Sequence, residues 1–130
     1  MSLEAALFSR LTAVAGVTAL VSQRVYPVQL PQNPTLPAVT YEVLSERRLN
    51  TFRGPLGLPG TLMRVCSWGL TYAAAKDLAR QVRLALDGWQ GTSSGETVQA
   101  SILERQQDLY EDEVQVHRVA AEYRFWWNES

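Results

Sequence analysis

A strand pattern turns directly into a helix pattern in the middle of this chain. Residues 63–68 alternate between two faces, which is the period of a β-strand. From Thr71 the apolar positions recur at helical spacing, at Leu78, Val82, Ala85 and Trp89. Thr71 is a predicted N-cap, and Asp87-Gly88 predicts the turn that ends the helix. The pattern predicts a helix held close to its own sheet.

The N-terminal part predicts a second amphipathic helix, capped by Ser2 and ending near Gly16. Its apolar stripe consists of Leu3, Leu7, Leu11 and Val14. Residues 17–23 are predicted to add a short helical turn, and residues 24–26 a short extended piece. Four prolines between residues 27 and 37 then exclude helix and central strand, so we expect a connector there.

Three more segments are predicted to be strands, and the central strand at residues 63–68 is the second of the four. The first starts at Ala38 and ends near Arg47, where a long loop to Gly60 joins it to the central strand as a hairpin. The third is expected from Val98 to Gln107, followed by an acidic turn. The fourth runs from Val114 to Trp127. Its predicted core face carries Val119, Ala121, Tyr123, Phe125 and Trp127, and its other face carries Arg118, Ala120, Glu122, Arg124 and Trp126.

These elements predict one α+β domain over residues 1–130, with the order α-β-β-α-β-β. We expect an antiparallel four-stranded sheet with the helices packed on one face and a long β-hairpin loop. The central helix should bury Leu78, Val82 and Trp89 against the sheet. The sheet residues expected to receive them are Val39, Tyr41, Val65 and Tyr123.

Composition narrows the class of protein. The chain has 130 residues and a formal net charge of −1, which gives no bulk electrostatic argument for nucleic acid or an anionic membrane. Cys66 is the only cysteine, so no disulfide within the chain is possible, which fits a reducing compartment. The apolar stretch Leu11 to Val21 follows no basic cluster, so we do not expect a signal peptide, and no apolar run is long enough to span a bilayer.

The titratable residues form no catalytic motif. His117 is the only histidine, and no nucleophile motif lies near it in sequence, so we interpret it as a packed residue. Cys66 reads as a small buried residue, and the acidic residues 111–113 lack the spacing of a calcium loop. The stripe of Lys76, Arg80 and Arg83 is interrupted by nearby aspartates, which favours a solvated helix face over a nucleic-acid site. We expect no enzyme activity, no cofactor and no metal.

Ordered sequence blocks along nearly the whole chain resemble a known family, the tail-terminator or tail-completion proteins of long-tailed bacteriophages, prophages and phage-derived particles. The blocks are the helix at 2–11, Arg-Val-Tyr-Pro at 24–27, Leu-Pro-Ala-Val-Thr-Tyr at 36–41, Arg-Val-Cys-Ser-Trp-Gly-Leu-Thr-Tyr-Ala at 64–73, Leu-Ala-Arg-Gln-Val-Arg-Leu-Ala-Leu-Asp-Gly at 78–88 and Asp-Leu-Tyr-Glu at 108–111. The family resemblance implies a cysteine-like residue directly before the tryptophan. This chain has Ser67 there and its cysteine, Cys66, one position earlier, a departure that affects packing only.

The resemblance implies a structural role. Such proteins form a ring, usually a hexamer, on the head-proximal end of the tail tube, where the ring stops polymerisation and offers a surface for head–tail joining. It implies as partners further copies of the chain, the tail tube protein and head–tail connector or neck proteins, in a virion assembled in the bacterial cytoplasm. It implies no catalytic residue. The alternatives are a neck or head-completion adaptor, or a small-molecule-binding α+β domain.

Two surfaces are predicted to make the assembly contacts. The loop between Arg47 and Gly60 combines arginines with apolar and aromatic residues, a mixture favoured at interfaces. Its candidate residues are Arg47, Arg48, Asn50, Phe52, Arg53, Leu56 and Leu58. The second surface is the outer face of the last strand, with Arg118, Arg124 and Trp126.

Overall fold

A computed structural model describes residues 3–47, 60–93 and 96–128. Three helices are present in this part of the chain: α1 (Leu3–Leu11), α2 (Ala15–Val21) and α3 (Tyr72–Leu86). Six strands accompany them: β1 (Val25–Pro27), β2 (Ala38–Arg47), β3 (Gly60–Gly69), β4 (Gly91–Ser93), β5 (Glu96–Glu111) and β6 (Val116–Asn128).

The strands form one mixed sheet, curled into a half-barrel, in the order β1-β2-β3-β6-β5-β4. β1 runs parallel to β2, and every other pairing is antiparallel. The predicted antiparallel four-stranded sheet is therefore wrong. β1 overlaps the extended piece predicted at residues 24–26 but was not expected to join the sheet, and β4 was not predicted. Both have three residues, too few to show a period of two, and β1 includes Pro27, which a sheet tolerates at its edge.

The predicted change from strand to helix is confirmed, and one glycine permits it. β3 ends at Gly69 and α3 begins at Tyr72. A β-carbon on Gly69 would lie 2.6 Å from the backbone nitrogen of Ala75, so a larger residue would push the helix away from the strand. The Thr71 hydroxyl accepts a hydrogen bond from the Ala74 amide at 3.1 Å, as an N-cap does.

The C-terminal end of α3 is fixed to neighbouring elements by polar contacts. Gly88 adopts a φ of 77°, which suits glycine just past a helix, and its amide donates to the Ser101 carbonyl at 2.8 Å. The Ser101 hydroxyl accepts from the Trp89 amide at 2.9 Å. Arg10 of α1 donates from Nε to the Ala85 carbonyl at 3.0 Å, which places a cation at the negative end of the helix dipole.

The core lies between the three helices and one face of the sheet. It contains the predicted helix residues Leu78, Val82 and Trp89 together with the predicted sheet residues Val39, Tyr41, Val65 and Tyr123. The stripe of Leu3, Leu7 and Leu11 in α1 joins the same core, while the predicted Ser2 cap lies outside the described residues. The predicted core face of the last strand is confirmed, because all five of its residues are buried.

None of the described helices is long and apolar enough to cross a membrane by itself. Only α1 and α2 taken together, with a bend of 79° between them, reach the required length and composition.

Removing the side chain of Leu78 tests the phase of α3. Leu78 is fully buried, so Leu78→Ala is expected to lower the free energy of unfolding by about 2–5 kcal/mol through the cavity it leaves. Leu84→Ala is the control on the same helix, because Leu84 is exposed and the change should cost less than about 0.5 kcal/mol. Denaturant unfolding measures both values, and similar losses for the two variants would contradict this packing.

The Tyr123 hydroxyl generates a second prediction. The residue is fully buried, its oxygen has no hydrogen-bond partner among the described residues, and burial raises its pKa. Because the unfolded chain releases this proton near pH 10 and the folded chain does not, Tyr123 reduces stability as pH rises above about 10. Tyr123→Phe should have the same or a higher free energy of unfolding at pH 7. Between pH 8 and pH 11 its free energy of unfolding should fall less than that of the native chain. An equal loss in both proteins, measured by urea unfolding, would refute this account.

Candidate assembly surfaces

The sheet face opposite the helices carries a lattice of ion pairs. Each pair links two neighbouring strands, either between directly opposite residues or diagonally. Because the side chains are partly exposed, each pair contributes modestly to stability. The distances are 3.2 Å for Arg64–Glu42, 3.7 Å for Arg105–Glu122, 2.8 Å for Arg118–Glu111 and 2.7 Å for Arg124–Glu104. Since positive and negative charges alternate across it, this face has little net charge to offer a partner.

Arg118 is the most connected residue of that face. Besides its ion pair with Glu111, its guanidinium carbon lies 5.2 Å from the centre of the Trp68 ring, a cation–π contact. Its Nη1 also lies 3.9 Å from the Cys66 sulfur. Burial raises the pKa of the Cys66 thiol, and Arg118 opposes that shift only in part. Cys66 is therefore a buried, protonated thiol, which is poorly suited to nucleophilic chemistry.

The three predicted interface residues of β6 have different environments. Arg118 and Arg124 each expose about a quarter of the side chain (24%) and are held by carboxylates of the same chain. Trp126 is 8% exposed and lies near Gly60, whose β-carbon would be 3.5 Å from the indole nitrogen. Arg118 and Arg124 are therefore partly accessible but already paired, whereas Trp126 contributes mainly to its own subunit. Their predicted role in assembly stays a prediction.

The other predicted surface lies outside the described residues. Arg48, Asn50, Phe52, Arg53, Leu56 and Leu58 belong to residues 48–59, and Arg47 is described only as the last backbone position of β2. Because β2 and β3 pair from Ala38–Trp68 to Arg47–Gly60, this segment joins the two strands at one end of the sheet. The role of these residues stays a prediction.

At the opposite end of the sheet lies an apolar cleft that sequence reasoning missed. Its volume is about 940 Å³, and it lies between the proline-rich connector, the end of β3 and the turn from β5 to β6. Apolar side chains supply most of its wall: Leu30, Pro31, Pro34, Leu36, Trp68, Leu70, Val114 and Val116. Leu70 and Val114 are 67% and 66% exposed, which is unusual for apolar residues that lie close together.

The lining of this cleft also includes polar residues. The Trp68 indole N–H donates to the Thr40 hydroxyl at 2.9 Å, so the ring offers the cleft mainly its apolar surface. The polar lining residues are Asn33, Glu111, Asp112 and Glu113. Arg118 pairs with Glu111, whereas Asp112 and Glu113 have no ion pair within the described part of the chain. The cleft therefore has a mostly apolar lining with three acidic residues at the turn from β5 to β6.

The sequence carried a signal for this cleft that we interpreted otherwise. Leucines 30 and 36 lie among the connector's prolines, a pattern that indicates an ordered connector because proline fixes φ and the leucines can pack. The acidic residues 111–113 were interpreted as a solvated turn. Only the sheet order brings the two segments together, because β2, β3, β6 and β5 place the connector and the turn at the same end.

His117 lies near this end on the helix side of the sheet, between two tyrosines. Its ring centre is 4.8 Å from Tyr110 and 5.9 Å from Tyr72, as expected for a packed histidine. The Tyr72 hydroxyl donates to Asp108 at 2.8 Å, and Lys76 Nζ donates to the same carboxylate at 3.1 Å. These two bonds lower the pKa of Asp108, and the first raises the pKa of Tyr72. The group stabilises the junction of α3 with β5.

In residues 3–47, 60–93 and 96–128, no group of three or more His, Cys, Asp or Glu side chains could hold a metal ion.

Both lateral edges of the sheet are partly open. β1 pairs with β2 only at residues 39–41, so β2 continues beyond it from Glu42. On the other side, β4 pairs with β5 only at residues 96–98, and the turn at Asp87 and Gly88 bonds to Ser101 and Leu103. Within the described part of the chain, no strand pairs with the outer edge of residues 104–111 of β5. Such edges are templates for another strand.

The family comparison decides the chain's membership. The family model described as "Tail completion protein gp17" matches residues 5–128, almost the whole chain. The chain belongs to this family. Membership gives the tail completion protein a structural role in a phage tail or head–tail junction, in agreement with the resemblance found in its sequence.

A solved structure has the same fold. A chain in the structure entitled "Virion of native gene transfer agent (GTA) particle" matches with a TM-score of 0.72 and 21% sequence identity, over 98% of this chain and 96% of that chain. At this identity the likeness establishes the fold alone. Comparison with curated protein sequences finds no match.

Proposed function

We propose that this tail completion protein forms a closed ring, a hexamer by family resemblance, on the head-proximal end of the tail tube. The ring ends tube polymerisation and gives the head–tail connector or neck proteins a surface to join. Its partners are further copies of itself, the tail tube protein and those connector proteins, in a virion assembled in the bacterial cytoplasm. Family membership supports this proposal, and so does the shared fold with a chain from a gene transfer agent virion.

The observation that carries the ring is that the sheet has two open edges of different character. The free part of β5, residues 104–111, reads Glu-Arg-Gln-Gln-Asp-Leu-Tyr-Glu and is largely exposed. The free part of β2 begins Glu-Val-Leu-Ser at residues 42–45. Copies that join the β5 edge to the β2 edge of the next copy use two unlike surfaces, and repeated contacts of this kind close into a ring when the rotation permits.

Side-by-side joining leaves the two ends of the strands on opposite sides of the ring. One end carries residues 48–59 and the other carries the apolar cleft. A ring built in this way has two chemically different faces, which is what a cap needs if it contacts the tube on one side and the head on the other.

Loss of the protein tests this function against the adaptor alternative. Particles that lack this chain should make tails of irregular or excessive length that do not join heads, as seen by electron microscopy, and expression of the chain in trans should restore both. Tails of normal length that only fail to join heads would favour the adaptor. Normal tails joined to heads would refute a role in tail completion altogether.

The segment between Arg47 and Gly60, which contains Arg48 and Arg53, is proposed to act in assembly and not in the stability of the fold. The triple variant Arg47→Glu, Arg48→Glu, Arg53→Glu should melt within a few degrees of the native protein, since exposed charges contribute under about 1 kcal/mol each. It should nevertheless abolish ring formation or head joining, because breaking a buried charged pair at an interface costs roughly 2–5 kcal/mol of binding free energy. The control is Arg80→Glu with Arg83→Glu on α3, which should leave assembly intact. Unfolding of the triple variant would make the segment a structural element.

A further inference from the structure

We propose that residues 107–111 of β5 pair with residues 42–47 of β2 in the next copy, in one antiparallel register that sets Tyr110 opposite Val43. This inference rests on the proposed ring and fixes where its copies join. Both stretches are free edges of the sheet within the described part of the chain.

The directions of the strands make this contact antiparallel. β2, β3, β6 and β5 lie side by side and each runs antiparallel to the next, so β2 and β5 of one copy run in opposite directions. Rotation about the axis of a ring keeps the direction of a strand along that axis. β2 of the next copy therefore runs opposite to the β5 edge that it meets.

The two free edges lie at different heights of the sheet. Directly opposite residues across the four long strands form a row, and one row consists of Val39, Ser67, Val119 and Asp108. In this row β1 covers β2, whereas β5 is free within the described chain. Toward Arg47 the reverse holds, because β2 is free there while β4 and the turn at residues 87–88 cover β5. Copies can therefore join only when they are displaced along the strands.

The backbone restricts this displacement to an even number of residues. The Val39 amide donates outward to the Arg24 carbonyl at 3.0 Å. In antiparallel strands the outward direction alternates along each strand, and bonded and non-bonded pairs alternate across each row. Val43 in β2 therefore directs its N–H and C=O outward, as do Asp108 and Tyr110 in β5. A ladder between the two edges forms when these outward residues lie opposite one another.

β1 excludes the smaller displacements. If Val43 lay opposite Asp108, Tyr41 would lie opposite Tyr110. The Tyr41 carbonyl already accepts a hydrogen bond from the Val28 amide at 2.7 Å, and β1 occupies the same side of β2. A still smaller displacement would overlap β5 with β1 further.

The register with Val43 opposite Tyr110 avoids this overlap. β5 then ends at Glu111, opposite Glu42, immediately before the part of β2 that β1 covers. Glu42 and Glu111 have like charges, but each already forms an ion pair with an arginine of its own chain. A larger displacement would carry Val43 beyond the end of β5.

The side chains at this position favour the same register. Val43 is 36% exposed and Tyr110 is 50% exposed. Val43 lies opposite the buried Met63, and Tyr110 packs on His117, so both side chains lie on the helix side of the sheet. In this register they become cross-strand neighbours, and pairs of an aromatic with a β-branched residue are favourable. Two exposed side chains thereby cover each other.

The displacement is compatible with a closed ring. Val43 shares a row with Met63 and Tyr110 shares one with Gly69, so neighbouring copies are displaced by the six residues from 63 to 69, about 20 Å. Four strand spacings of about 4.8 Å make each copy about 19 Å wide. Copies at one height then have strands tilted by about 45° from the ring axis, at the upper end of the range of about 35–45° in closed barrels.

Disulfide cross-linking in isolated particles tests the register. Val43→Cys with Tyr110→Cys is made in a Cys66→Ala background, which leaves no other cysteine. Directly opposite residues of a hydrogen-bonded antiparallel pair have Cα atoms about 5.5 Å apart, within the range of a disulfide. Mild oxidation should convert most of the chain into linked multimers, detected by immunoblot of a non-reducing gel.

The matched control places the second cysteine four residues away on the same edge. Val43→Cys with Gln106→Cys should stay unlinked, because the two positions are about 14 Å apart in this register. Linking through residue 106, or no linking of either pair in particles that contain the chain, would overturn the register and leave the proposed function. Linking through residue 110 together with normal head-joined tails in the deletion strain would support the contact and refute that function.

Proline substitution tests the same edge without cysteines. Tyr110→Pro removes an outward N–H, a change that the edge of a sheet tolerates, so the variant should melt within a few degrees of the native chain. It should lower the yield of head-joined tails of normal length at least about tenfold, because the lost bond recurs at every joint of the ring. Gln106→Pro is the control, since its N–H also points outward but lies one row beyond the end of the neighbour's β2.

Equal yields from the two proline variants would contradict the register. If Tyr110→Pro unfolds, Val43→Pro takes its place, because it removes the outward N–H on the other side of the same pair. The same loss of at least about tenfold is expected, and a native yield from a folded Val43→Pro chain would equally overturn the contact.

Discussion

The close approach of α3 to its own strand is the constraint on which the rest of the fold depends. Gly69 has no side chain, and the Ala75 backbone occupies the space where one would be. This lets α3 pack closely on β3 and cover core side chains, and the helix also contacts α1, α2 and β6. Polar contacts at the other end of the helix, through Arg10 and Ser101, then fix its direction across the sheet.

With one face of the sheet covered by helices, its remaining surfaces differ in what they can offer another molecule. The opposite face is occupied by ion pairs within the chain, which leaves few unpaired groups for a partner. The edges of β2 and β5 keep free backbone groups, and the cleft keeps exposed apolar side chains. A structural protein that joins unlike neighbours needs surfaces of this kind, and here they lie at the margins of the sheet and not on its face.

Most of the fold was predictable from particular residues, while the candidate surfaces were only partly so. The alternation in residues 63–68, the Thr71 cap and the buried face of β6 follow from local rules, and the structure confirms them. β1 was expected only as an extended piece and β4 not at all, because three residues show no period, so their place in the sheet depends on the neighbour that pairs with them. Trp126 was assigned to a partner-facing surface because alternation gives the side of a strand but not what covers it.

The sequence by itself determined the two long helical regions, the four long strands, most of the side chains that face the core and, through its ordered blocks, the family to which the chain belongs. The tertiary structure decided which segments are neighbours. The proline-rich connector and the acidic turn are about 80 residues apart in the chain, and their separate sequences describe an ordinary loop and an ordinary turn. They form one cleft because the strand order β1-β2-β3-β6-β5-β4 brings them to the same end of the sheet, and that order results from long-range pairing that no local pattern encodes.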